Sequence, residues 1–434
     1  MKGAIVSTIA CIARRRRTAG VSGDAQAARR SGRETERHMG DSAVGLLDQL
    51  PDRWLPDRVQ TEGRWRIRVG RATRDVVVSK SGVSIERPKG KVHAEIETDH
   101  ETWRAMDAGR LSGIEAFVDR RLKVRGSIER ALQFEPMFDR PDDGGLRYTI
   151  EDVPIGNGIK ISALIAGSEE GEPLLLMHGL GATKASWLTV LPPLAARYRV
   201  MVIDLPGFGR SSKPIGRYDA AWFCGHVCRF LDSMGVERCH AAGNSMGGKV
   251  AMELAMLDPE RVMDVMCLCP ASAFSDRPML RLVQLLRPEL GVAVGFVPRS
   301  RVRKTIESLF SNPGSLDGVW IEAAIDDFTR IWRNPKARGA FFAAARSIYL
   351  EEPHGEAGFF TRLELMETPS LFIYGEQDGI ITHHFGRKIE QTLPSAEVHV
   401  WQDCGHVPQI EHPDRTAEVM LDFMKQAANK RAAS

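Results

Sequence analysis

Cysteine is scarce: the chain holds seven in 434 residues, an odd number without paired spacing. That excludes a disulfide framework and reads as reduced thiols in a cytoplasmic protein. Cys224 and Cys228 flank His226, but inside an apolar helical pattern, so they read as core and not as metal ligands. No metal and no cofactor is expected anywhere. Long apolar runs are also lacking. The opening "MKGAIVSTIACIARRRR" holds a run of about eleven apolar residues, too short to cross a bilayer. Its arginines follow that run, whereas a signal peptide puts its charge first. No membrane span is expected, and transient contact with a membrane surface stays open. Charge of one sign is missing from the body as well. The net charge is +3, yet residues 1–38 carry nine Lys/Arg against three acids, which leaves the rest at −3. Nucleic acid is therefore not an expected partner.

What remains is ordinary for a globular protein, with 43% hydrophobic and 26% charged residues. The length favours two domains. Residues 1–40 read as a disordered basic tail, with Met39 an alternative start. Residues 41–138 read as a small α+β unit. "GRWRIRVG", "RDVVVSKSGVSIERP" and "KVHAEIETD" alternate as strands do. "DHETWRAMDAG" then reads as a helix, capped by Asp99 and stopped near Gly109. "SGIEAFVDRRLKVRG" is a second helix running into a short strand. "SIERALQFEPMF" is a third helical stretch, with Ile128 and Leu132 on one face. Residues 139–147, polar with Pro and two Gly, read as a hinge.

From 148 to 434 strands alternate with helices. "PLLLMHG", "YRVMVIDLPGFG", "RCHAAGNS", "VMDVMCLCP", "PSLFIYGEQD" and "AEVHVWQDCGH" read as strands, most of them continuous apolar runs suited to burial on both faces. The expected fold class is α/β, a doubly wound and mostly parallel sheet. The interval of about 272–365 lacks strands and reads as a helical cap, with "PMLRLVQLLRPELG", "SRVRKTIESLF" and "NPKARGAFFAAARSIYLEE" as its helices. It would cover the C-terminal edge of the sheet, where α/β ligand sites lie.

The chemistry concentrates at "GNSMG". It follows a strand, opens a helix and fits G-x-S-x-G, with Ser245 between Gly243 and Gly247. A serine hydroxyl is a weak nucleophile and needs a base. His406, after the last strand, is the candidate. Asp378, after the strand before it, would orient that base. The order Ser245, Asp378, His406 is the α/β-hydrolase order. The backbone N–H groups of Leu180 and Met246 are the expected oxyanion donors. His178 reads as a loop-shaping residue and His240 as a satisfied core residue. Asp204 and Glu376 are rival acids, and Asp403 a turn residue.

These blocks resemble the α/β-hydrolase superfamily of the capped type, over residues from about 146 to 434. The pattern from His178 to Trp187 resembles small lipases and esterases. "GNSMGG" is also similar to carbon–carbon bond hydrolases of ring-cleavage products, though their longer glycine-rich oxyanion loop is missing. Serine at the nucleophile position departs from epoxide hydrolases and haloalkane dehalogenases, which use Asp. The N-terminal unit resembles a sterol-carrier-protein-2-like domain through "HAEIETDHETWRAMDAGRLSGIEAFVDRRLKVRGSIERALQF". That resemblance implies a lipid-sized cavity lined by Trp103, Phe117, Leu122, Val124 and Leu132. Three readings follow. The first is a serine hydrolase cleaving a hydrophobic or lipid-like carboxylic ester. The second is a carbon–carbon bond hydrolase. The third is a lipid carrier with a secondary hydrolase half. A combined reading has the first domain hand a lipid to the second.

Overall fold

The computed structural model describes residues 45–433 apart from 60, 275–282, 285–296 and 316–317. The basic tail and nearly all of "PMLRLVQLLRPELG" lie outside those residues.

The first sheet is built from β1 (Gly63–Val69), β2 (Ala72–Ser79), β3 (Gly82–Glu86), β4 (Ala94–Thr98) and β5 (Leu122–Gly126). Its order is β3-β2-β1-β4-β5, with only β1 and β4 parallel. β1 shows why it forms. Trp65, Ile67 and Val69 are buried on one face, while Arg64 and Arg66 on the other reach Asp75, and Arg68 reaches Glu95. Alternation of this kind is the signature of a half-buried strand. Asp99 caps the helix His100–Asp107 by accepting from the Thr102 N–H. Ser112 and Glu115 form a reciprocal capping box on the helix Gly113–Val118. The third helical stretch is split: Ile128–Leu132 is α-helical and Glu135–Met137 is a 3-10 turn. Pro136 and its lost N–H account for the break.

The second sheet has eight strands in the order β13-β12-β11-β10-β8-β9-β7-β6. The six expected from sequence are β8 (Pro173–Met177), β9 (Arg199–Ile203), β10 (Cys239–Asn244), β11 (Val262–Leu268), β12 (Ser370–Gly375) and β13 (Glu397–Trp401). All six run parallel. β6 (Tyr148–Pro154) and β7 (Lys160–Ala166) were not expected and form an antiparallel hairpin at the edge. The cap interval holds the helices Arg299–Glu307, Gly318–Arg333, Pro335–Leu350 and Phe359–Leu363.

The two sheets are not loosely tethered. Residues 139–147, expected as a hinge, are pinned to the first unit: Arg140 donates to the Leu111 carbonyl and pairs with Glu135, and the Gly145 N–H bonds the Gly109 carbonyl. One apolar cluster runs from Trp65 and Leu132 into Leu188 and Leu191. The short helix Ile128–Leu132 is the main bridge. Tyr148 Oη donates to the Leu132 carbonyl at 3.1 Å, and Arg330 donates to Ser127 Oγ at 3.0 Å. Lys184, fully buried in the loop after β8, lies 2.7 Å from both Glu129 and Asp204. Burial opposes its charge, but the two carboxylates outweigh that and raise its pKa. Asp204 is likewise penalised by burial, yet Lys184 holds it down at about 2.

Candidate active site

β10 ends at Asn244, and the helix Met246–Leu257 begins one residue after Ser245. Ser245 sits at φ +54°, ψ −115°, outside the regions an L-residue ordinarily adopts. Such strain persists only where the surroundings impose it. The flanking glycines show how. A Cβ on Gly243 would lie 2.1 Å from the Gly247 carbonyl carbon, and one on Gly247 would lie 2.2 Å from the Met177 carbonyl oxygen. The two chain segments cross too closely for any side chain. The turn therefore lifts Ser245 off the sheet and leaves it part-exposed in a cavity.

His406 lies in the loop after β13, 5% exposed. Its Nδ1 is 2.7 Å from Asp378 Oδ2. Asp378 Oδ1 accepts the N–H groups of Ile380 and Ile381 at 2.7 and 2.9 Å. Both carboxylate oxygens are thus committed, which fixes the carboxylate and with it the imidazole plane. The His406 loop is held in turn: its N–H donates to the Leu309 carbonyl at 2.7 Å, and Asn244 Nδ2 donates to the His406 carbonyl at 3.0 Å. Ser245 and His406 face the same cavity. No hydrogen bond joins their side chains among the described residues. Bonds of that kind are often long in a ligand-free site and tighten around substrate.

Leu180 lines the same cavity, whereas the Met246 side chain is buried and backs a separate one beside Tyr218 and Lys249. Met246 is the first residue of its helix, so its backbone N–H has no intrahelical acceptor. The side chain of His178 is buried and points away from chemistry. Its Nδ1 donates to the Gly179 carbonyl at 2.8 Å and its Nε2 accepts the Leu205 N–H at 3.0 Å. Burial lowers its pKa, which keeps that neutral tautomer in place and shapes the loop. The rival acids fall elsewhere. Asp204 is locked to Lys184, Glu376 is exposed, and the Asp403 carbonyl accepts from Ser311 and His412 in a turn. His240 is buried against Asp264 at 2.8 Å.

Some neighbours had no sequence signal. Cys269, at φ +43°, groups with Asp378 and His406, their ligand-type atoms within 4.8 Å of one another. Burial and the adjacent Asp378 charge raise its thiol pKa well above the ordinary value, which favours the protonated thiol. The six described cysteines are all free. The pocket itself measures about 280 Å³ and is mostly apolar, with Leu309, Phe310, Phe328, Phe341 and Ile410 among its walls. One wall, Ile128, comes from the N-terminal unit.

Trp103, Phe117, Leu122, Val124 and Leu132 do converge on one apolar cavity, together with Ile128 and Leu188. The void they line measures about 40 Å³ in the ligand-free protein. Ile128 lines both this void and the Ser245 pocket. No described helix is long and apolar enough to cross a membrane.

Residues 46–139 match the SCP-2 sterol transfer family, and residues 174–419 match the alpha/beta hydrolase family. The chain is 31% identical over 277 residues to a dihydrolipoyllysine-residue acetyltransferase component of an acetoin cleaving system from Cupriavidus necator, which covers 62% of this chain and 67% of that protein. It is 29% identical over 266 residues to a 2-hydroxy-6-oxo-6-phenylhexa-2,4-dienoate hydrolase from Burkholderia cepacia, covering 59% of this chain and 88% of that protein. Among solved structures, a bacterial membrane phospholipase A superposes with a TM-score of 0.54 at 29% identity, covering 65% of this chain and 87% of that one. With more than half its length matched, the chain belongs to the alpha/beta hydrolase family, and it carries an SCP-2 domain ahead of the hydrolase fold.

Proposed function

We propose that the protein is a serine hydrolase that cleaves a carboxylic ester bearing an apolar acyl group. The observation that carries this reading is the strained Ser245 at the mouth of an apolar pocket it shares with the Asp378–His406 pair. Ser245 Oγ attacks the ester carbonyl while His406 Nε2 takes its proton. The N–H groups of Leu180 and Met246 hold the oxyanion. His406 then protonates the leaving alcohol, and the acyl group stays on Ser245. Water, deprotonated by His406, releases the acid and restores the serine. Asp378 keeps the Nδ1–H tautomer of His406 and stabilises the imidazolium.

The likeness to a dienoate hydrolase favours a second reading, cleavage of a carbon–carbon bond by the same residues. The ester reading is preferred on the apolar lining of the pocket, whose described walls contain no Lys or Arg, although the cations of an adjoining cavity could meet a dienoate carboxylate. A substrate panel separates the two. The ester reading expects wild type to hydrolyse medium-chain p-nitrophenyl and glyceryl esters, Ser245→Ala to lose this, and neither to bleach a ring-cleavage dienoate. Faster turnover of the dienoate than of any ester would replace the first reading with the second.

A further inference from the structure

The catalytic pocket has a neighbour that ester cleavage does not use. A cavity of about 420 Å³ opens where the SCP-2 domain, the loop after β9 and the helix Gly318–Arg333 meet. Thr183 and Asp327 line both cavities, so the two adjoin. The charged walls of this second space are Arg130, Arg210, Lys213 and Arg330 against Glu129 and Asp327.

Those cations outnumber their partners. Asp327 is committed to Arg330, and Glu129 to Lys184. Arg210 reaches Asp152 at 2.9 Å, but its buried Nε–H has no hydrogen-bond acceptor and lies 3.7 Å from Glu129. Arg130 and Lys213 have no ion-pair partner among the described residues. The Arg130 side chain donates to Thr61 Oγ1 and the Glu62 carbonyl, and Lys213 Nζ to the Gly209 and Ser211 carbonyls. Burial lowers the pKa of both, and repulsion from Arg210 acts in the same direction. A half-buried chamber with an excess of cationic donors is short of an anion. Donors arriving from several cationic side chains suit the higher charge and three oxygens of a phosphate group.

We propose that this cavity is a subsite for a phosphate group carried by an amphiphilic ester whose acyl chain fills the Ser245 pocket. The inference rests on the ester reading and names its substrate class. It also gives the SCP-2 domain a part in recognition, since Arg130 and Glu129 flank the cavity that receives the headgroup while Ile128 walls the acyl pocket.

The test is binding to full-length Ser245→Ala protein, which cannot turn over. Calorimetric titration with 1-octanoylglycerol-3-phosphate and with 1-octanoylglycerol should show the phosphate ester bound about 10-fold tighter or more. Arg130→Gln or Lys213→Gln should remove about 10-fold for the phosphate ester and leave the neutral ester unchanged. Arg130→Lys should keep most of the preference, which separates charge from folding. Equal affinity for the two ligands, or an equal loss for both in the variants, would overturn the subsite. Inorganic phosphate alone binding as tightly as the phosphate ester would assign the cavity to free phosphate and overturn the headgroup assignment. Absence of ester turnover in wild type, by contrast, would sink the ester reading and leave the binding result standing.

Discussion

Replacing Lys184 with methionine tests how the two parts of the molecule hold together. The side chain is fully buried, and its Nζ lies 2.7 Å from Asp204 Oδ2, 2.7 Å from Glu129 Oε2 and 3.3 Å from Ser162 Oγ. Methionine keeps the volume but removes the cation. Asp204 is then left as a buried carboxylate with backbone donors alone, from Lys184 and Arg210. Removing one partner of a buried pair costs about 3–5 kcal/mol, a large share of the roughly 5–15 kcal/mol that holds a domain folded. Glu129 belongs to the SCP-2 domain, so the loss falls on the junction as well as on the hydrolase. Adding Asp204→Asn to Lys184→Met should recover part of the loss, because the orphaned charge goes too. The pH dependence has a definite sign. Asp204 is held at about 2, below its ordinary 3.8, so its contribution is present above about pH 4 and disappears as pH falls through 2. Urea unfolding monitored by tryptophan fluorescence should show wild type and Lys184→Met far apart at neutral pH and converging under acid. A difference under about 1 kcal/mol at neutral pH would refute this account of the junction.

Four further outcomes are expected. Gly247→Ala places a Cβ 2.2 Å from the Met177 carbonyl and should cut kcat/KM by on the order of 100-fold by shifting the serine turn. Gly225→Ala, at an exposed position of the helix Ala220–Ser233 with nothing near, should leave activity alone and raise the melting temperature slightly. Asp378→Asn should lower kcat by on the order of 10⁴ with little change in KM, because the amide favours the wrong His406 tautomer; stopped assays at matched folding would show it. Cys239, Cys267, Cys269 and Cys404 should resist iodoacetamide until denaturant is added, since burial pushes Cys239 up to about 12 and raises the other three thiols as well; peptide mass spectrometry reads this directly.

The grouping of Ser245, Asp378 and His406 around one cavity was legible because each sits in a local pattern set by its own strand end. The parallel strands were legible for the same local reason: runs such as Leu174–Met177 are apolar on both faces. β6 and β7 were missed because "YTIEDVP" and "KISALIA" form an edge hairpin whose alternation is broken by Asp152 and Ser162. Those two polar residues answer to partners distant in sequence, Asp152 to Arg210 and the Ser162 hydroxyl to Lys184 Nζ. Nothing in the sequence around Lys184 marks it as buried, because its burial depends on Glu129 and Asp204 arriving from elsewhere. The periodicity places Ile128 on one helical face with Leu132, but docking of one domain on the other is what makes it a wall of the Ser245 pocket. The size of the SCP-2 cavity was not legible either: composition names the lining residues, whereas side-chain packing decides whether they enclose a lipid or close on one another.

The central claim is that Ser245 is the nucleophile. Treating the native protein with an alkyl fluorophosphonate and mapping the adduct by mass spectrometry tests it most directly. The account predicts one adduct, on the peptide containing Ser245, with ester hydrolysis lost in proportion, and no adduct in Ser245→Ala or in heat-unfolded protein. An adduct on a different serine, or full ester hydrolysis by Ser245→Ala, would contradict it.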